Sequence, residues 1–208
     1  MQIFTPITTL RNKLRERKGL KNEKLEWANR RYAPPSPTYI KKDILYRNGL
    51  PDSTWVETGT FMGDTAAFLA QHANMVYTIE PDNYLYDKVR LRFIFNPKIK
   101  PIHGTSEEIF PSLLPTLKGP INFWLDGHFS GGFTHKGPTD CPVRDELSSI
   151  EKNISHFEKT VILIDDVRCF NPSIKEYSDY PDLNFLVDWA RNNNMHWTIE
   201  HDIFIAKT

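Results

Sequence analysis

Thr54-Trp55-Val56-Glu57-Thr58-Gly59-Thr60-Phe61-Met62-Gly63 is the stretch that decides the fold. Its first residues suit a strand, which ends in the carboxylate of Glu57. Thr58 to Gly63 reads as a tight loop, and Asp64 as the N-cap of a helix carrying Ala66, Ala67, Phe68 and Leu69. A strand, a glycine-bearing loop and a helix N-terminus in direct succession form a ligand-binding turn of an α/β sheet.

The pattern continues outward. Met75 to Ile79 is an apolar strand closed by Glu80. An acid there, about 20 residues after the glycine loop, is placed to accept hydrogen bonds from ribose hydroxyls. Asn83 to Phe95 patterns as a helix, Lys98 to Ile102 as a third strand, and Ser106 to Leu114 as a helix stopped by Pro115. Ile121 to Leu125 is strand four, Val143 to Phe157 a helix with Leu147, Ile150 and Ile154 on one side, and Val161 to Ile164 strand five. Pro181 to Asn192 carries Leu183, Leu186, Val187 and Ala190 at helical spacing. His196 to Glu200 and Ile203 to Ala206 are joined only by His201-Asp202, too short for a parallel crossover, so they form a β-hairpin. This order predicts an α/β class: a Rossmann-like, seven-stranded, mostly parallel sheet with a terminal antiparallel hairpin and helices on both faces.

Two of the strands end in reactive groups. Strand four runs into Asp126-Gly127-His128-Phe129-Ser130-Gly131-Gly132, and strand five into Asp165-Asp166. If the strands are neighbours, three carboxylates and a histidine converge at one sheet edge, a home for a divalent metal and a catalytic base. Acids so close demand a cation or a protonated partner to offset their repulsion. His128 can serve there as a base, because a neutral imidazole accepts a hydroxyl proton near pH 7, or as a metal ligand, a substrate hydrogen bonder or a turn residue; His135 and Lys136 in the same loop are rival bases. Gly131, Gly132, Gly137 and Pro138 make residues 129–142 an expected mobile lid.

A chain of 208 residues suffices for one main domain. We divide it into an N-terminal helical extension or cap, 1–50, and a main α/β domain, 51–208. The extension is basic, with Leu10 and Leu14 spaced for an amphipathic helix, and the prolines at 34, 35 and 37 break it before a short helix from Tyr39 to Tyr46. With 26 basic and 26 acidic residues and a pI near 7.1, no global field draws nucleic acid or an acidic membrane. Cys141 and Cys169 are too few for a disulfide framework, and no membrane-spanning run or signal peptide is evident; a cytoplasmic protein is expected.

The order of elements resembles the class I S-adenosylmethionine-dependent methyltransferases over roughly residues 52 to 208. Val56 to Gly63 looks like their first motif, with Phe61 where the commonest form has a middle glycine; Glu80 matches the ribose-binding acid, and His103-Gly104-Thr105-Ser106 the segment bordering adenine. The resemblance implies that Glu57, Gly59, Thr60, Phe61, Gly63, Glu80, Thr105, Ser106 and Asp126 bind S-adenosyl-L-methionine. Nearer likeness is to the macrocin-type small-molecule O-methyltransferases, whose strands four and five end in Asp-Gly-Asp and Asp-Asp. That implies Asp126, Asp165 and Asp166 as ligands of a divalent metal, Mg2+ by expectation, with Asp126 and His128 as catalytic groups. His128 stands where those enzymes have an aspartate.

The expected function is therefore metal-assisted O-methyl transfer to a hydroxylated small molecule or a sugar unit. A nicotinamide-dependent oxidoreductase shares the glycine loop and distant acid, but the terminal hairpin and the absence of Gly-x-Gly-x-x-Gly weigh against it. A methyltransferase fold turned binding or scaffold module is the third reading, suggested by Phe61. Base methylation of nucleic acid is disfavoured, because strand four lacks an Asn/Asp-Pro-Pro-Tyr/Phe ending.

Overall fold

The structure is a computed structural model and describes residues 19–127 and 141–208. Its strands are β1 (Thr54–Thr58), β2 (Met75–Glu80), β3 (Ile99–His103), β4 (Pro120–Leu125), β5 (Lys159–Ile164), β6 (His196–Glu200) and β7 (Ile203–Lys207). They form one sheet in the order β3-β2-β1-β4-β5-β7-β6. β1 to β5 pair in parallel, and β7 enters antiparallel between β5 and β6. The described helices are α1 (residues 19–29), α2 (Thr38–Asn48), α3 (Asp64–Leu69), α4 (Asn83–Arg92), α5 (Ser106–Leu113), α6 (Val143–Glu151) and α7 (Leu183–Asn192).

Successive strand residues point to opposite faces, and both faces are buried. Val56, Phe123, Ile162 and Phe204 pack on one side against Phe110 of α5, Leu147 of α6 and Leu186 of α7. Trp55, Trp124, Leu163 and Ile205 pack on the other against Leu45 of α2, Leu69 of α3 and Val89 of α4. Each such side chain contributes about 1.5–3 kcal/mol by leaving water. The predicted seven-stranded α/β sheet with helices on both faces is the one observed. α2 belongs to this core: Ile44 and Leu45 are 0% and 1% exposed.

The strands match their predicted positions, whereas several helix ends differ. α4 stops at Arg92 rather than Phe95, because Asn96 donates back to Phe93 O at 2.8 Å and Pro97 holds the chain out of the helix. The stretch predicted as one helix from Val143 to Phe157 is α6 plus a 3-10 turn, Ile154–His156. Asn153 separates them, its side chain donating to Ser149 O at 2.8 Å. At α3 the N-cap is Gly63, in the left-handed region at φ 80°, and Asp64 is the first helical residue. α7 begins at Leu183, capped by Asp182, whose carboxylate accepts from Phe185 N. The helix expected around Leu10 and Leu14, and residues 129–140 of the expected lid, lie outside the described residues; Cys141 is buried at the foot of α6.

Candidate functional site

Chain order reverses between β1 and β4, since β2 and β3 continue outward from one and β5 from the other. A crevice outside the carboxyl ends of two such strands is where open α/β sheets bind ligands. Here those ends touch backbone to backbone. Gly59 has φ 80°, and a Cβ on it would lie 2.4 Å from the Asp126 carbonyl oxygen. Only glycine fits both the dihedral and the approach.

The loop after β1 is tied to β2 by two acids. Glu80, at the end of β2, accepts from the Phe61 backbone N–H at 2.8 Å through Oε2 and from the Asp82 N–H at 3.0 Å through Oε1. Those bonds aim a carboxylate that has about four acceptor positions. Phe61 takes φ 48° where related motifs have glycine, and its side chain is 58% exposed. Glu57 is 1% exposed and accepts from the Thr78 hydroxyl at 2.6 Å, while the Thr60 and Thr78 hydroxyls are 2.5 Å apart. Burial pushes Glu57 up to about 8, against the Thr78 hydrogen bond, which pulls it down. Glu57, Gly59, Thr60, Phe61, Gly63 and Glu80 thus form one connected unit. Thr105 and Ser106 sit one strand farther out, beyond the end of β3, where Thr105 and Glu108 cap α5 reciprocally.

On the other side of the crevice the acids converge. Asp126 donates its N–H to Thr58 O at 3.3 Å, and Asp165 its N–H to Leu125 O at 3.1 Å, which sets the ends of β1, β4 and β5 in a row. Asp165 is 0% exposed. Its Oδ1 accepts from the Asp166 N–H at 2.8 Å, and its Oδ2 is ion-paired with Lys41 of α2. Lys41 Nζ also stands 3.7 Å from Asp166 Oδ1. Asp166 Oδ1 in turn receives Arg168 Nη1 at 2.6 Å, and the same guanidinium pairs with Asp202 in the β6–β7 turn. Burial opposes the charge on Lys41, but Asp165, then Asp126 and Asp166, more than offset it and hold its pKa above the ordinary value. Burial holds Asp165 above its ordinary value, and although Lys41 pulls it down, Asp166 adds to the rise.

The expected metal set does not fit this arrangement. Both oxygens of Asp165 are engaged, by Lys41 and the Asp166 N–H, and Asp166 Oδ1 is engaged by Arg168. Among the described residues no group of three or more His, Cys, Asp or Glu could hold a metal ion. Asp126, Asp165 and Asp166 do meet at one sheet edge, but the offsetting charge comes from side chains. No local pattern in the sequence marks Lys41, Arg168 or Asp202; the excess of acids is the one signal that a cation must be supplied. His128, His135 and Lys136 lie outside the described residues. Burial pushes the Cys141 thiol up to about 12 and raises Cys169 as well, so neither is poised as a thiolate nucleophile.

No family model and no curated protein matches the chain. Solved structures do. An O-methyltransferase from Bacillus cereus in complex with SAH superposes at TM-score 0.54 and 17% identity, covering 89% of this chain and 88% of that one. The N-methyltransferase NodS from Bradyrhizobium japonicum reaches TM-score 0.54 at 11% identity, covering 81% of this chain and 93% of its own. The fold is that of the class I S-adenosylmethionine-dependent methyltransferases. The 23S rRNA methyltransferase ErmE shares it at TM-score 0.52 and 13% identity, over 82% of this chain and 67% of that one. Acceptors differ among the three, so the likeness leaves the acceptor open. No described helix is long and apolar enough to cross a membrane.

Proposed function

We propose that the protein is an S-adenosylmethionine-dependent methyltransferase that methylates a hydroxyl group of a small molecule or a sugar unit. The observation that carries the reading is the contact of Gly59 with Asp126 at the switch point. It joins the loop of Glu57, Thr60, Phe61 and Gly63, with Glu80 beside it, to the acids after β4 and β5. The cofactor supplies an electrophilic methyl group. Glu80 would accept from the ribose hydroxyls, the Gly59–Gly63 loop would run beside the cofactor, and Thr105 and Ser106 would border its base. Gly59 lets the ends of β1 and β4 meet, and the loop after it, tied to Glu80 through the Phe61 N–H, lies at the crevice where open α/β sheets bind such ligands; these residues fit the cofactor.

A hydroxyl acceptor is our reading of the acceptor side: the carboxylates after β4 and β5 can receive O–H donors, and a hydroxyl must lose a proton as it is methylated, which requires a base at the site. A fold neighbour that is an O-methyltransferase accords with this. We assign proton acceptance to His128 and orientation of the acceptor to Asp126. Calorimetric titration with S-adenosylmethionine and S-adenosylhomocysteine tests the reading. Binding of both, weakened by Glu80→Ala, is expected; absence of binding to the wild-type protein refutes it.

A further inference from the structure

Three carboxyl groups, Asp126, Asp165 and Asp166, gather at the ends of β4 and β5, and the cation that meets them comes from α2, 124 residues before Asp165. Lys41 is no loose surface lysine. Its side chain is 22% exposed, and its partners Asp165 and Asp166 are 0% and 13% exposed. Ile44 and Leu45, on the next turn of the same helix, are anchored in the core, so α2 cannot withdraw the ammonium without unpacking. Arg168 adds a second positive charge at the same Asp166 oxygen, Oδ1, and is itself held by Asp202. A divalent ion that bound Asp165 Oδ2 or Asp166 Oδ1 would have to displace a cation already seated there.

We propose that Lys41 is the resident cation of this site and takes the place of a divalent metal, fixing Asp165 and Asp166 at the ends of the strands beside the crevice. This rests on the methyltransferase reading for its purpose but not for its geometry. Lys41 is a positioning residue: it acts through the two aspartates.

The test is a calorimetric titration of Mn2+, standing in for Mg2+, into the wild-type protein and into Lys41→Met and Lys41→Arg. The wild-type protein and Lys41→Arg should show no binding at the strand ends. Lys41→Met should gain Mn2+ affinity by about tenfold or more, because freed carboxylate charge sets the affinity of such sites. Mn2+ binding by the wild-type protein that Asp165→Asn abolishes overturns the proposal, and so does a folded Lys41→Met variant that gains none. The wild-type titration decides even if Lys41→Met does not fold. Titration of S-adenosylhomocysteine into the same samples reports on the methyltransferase reading separately, since its loss would leave the Mn2+ result standing.

Discussion

Thr78, in the middle of β2, donates its hydroxyl to Glu57 at 2.6 Å across the parallel pair β1–β2, and the two residues are in register. Glu57 is wholly buried there, with Asp126 and Glu80 adding to the field that opposes its charge. A carboxyl in that setting is held mainly as the neutral acid at neutral pH.

Stability should therefore fall with rising pH through this one group. The folded value is raised to about 8 from an ordinary 4.5, so between those pH values the folded state binds the proton that the unfolded state has released. The Glu57 contribution is complete below about 4.5 and lost as pH passes about 8. Glu57→Gln should flatten that part of the profile, with its melting temperature gaining on wild type as pH rises from 5 to 9, a range of roughly the sort linkage addresses. Parallel curves for the two proteins would refute the assignment.

The seven strands, their approximate ends and the acids that close them could be read from the chain because each is a local pattern: apolar runs of strand length, bounded by glycine, proline or a carboxylate. The demand for positive charge at Asp126, Asp165 and Asp166 was equally legible, but its source was not. Lys41 is remote in sequence and meets the acids only once α2 docks through Ile44 and Leu45. The pattern of acids implies metal ligation; only tertiary packing shows that a lysine also reaches them. The helix ends failed for a different reason. At Asn153 a side chain bonds to the preceding turn while the apolar spacing runs on through Ile154, so periodicity alone cannot show the break. Phe61 reveals its left-handed backbone only in three dimensions, where Glu80 receives its N–H.

Gly59→Ala should be among the most damaging small substitutions. The added carbon meets the Asp126 carbonyl at 2.4 Å and the backbone sits at φ 80°, so strain and collision coincide. The left-handed dihedral alone costs about 1–2 kcal/mol, and separation of the β1 and β4 ends adds to it. Urea denaturation should show the midpoint drop, and calorimetry a loss of S-adenosylhomocysteine affinity. Gly119→Ala, also at φ 80° but with open space around its Cβ position, is the control and should show the dihedral cost alone.

Asp202→Ala should loosen the turn after β5. Asp202 is 3% exposed, accepts the Arg168 backbone N–H at 2.9 Å and pairs with the Arg168 guanidinium. Hydrogen bonds to a charged group contribute about 1.5–3 kcal/mol, and Arg168 is partly exposed, which places the loss at the lower end. Hydrogen exchange should show the Arg168 amide losing protection, while amides in β2 and β3 keep theirs. Asp202→Asn retains an acceptor and should recover part of the protection.

His128→Ala separates proton transfer from everything else at the site. Methylation of a hydroxyl releases one proton, and the described groups nearest the crevice are poor acceptors: Asp165 is bound to Lys41, Asp166 to Arg168, and Glu57 faces Thr78 inside the sheet. His128 follows Asp126 by two residues and is the imidazole closest to it in sequence. If it takes the proton, kcat should fall by about 10²–10⁴-fold, the ordinary contribution of a general base, with S-adenosylhomocysteine affinity unchanged. The acidic limb of the kcat–pH profile should vanish with it. A variant that keeps both kcat and that limb would return the role to Asp126, and Asp126→Asn would then be the substitution that abolishes the limb.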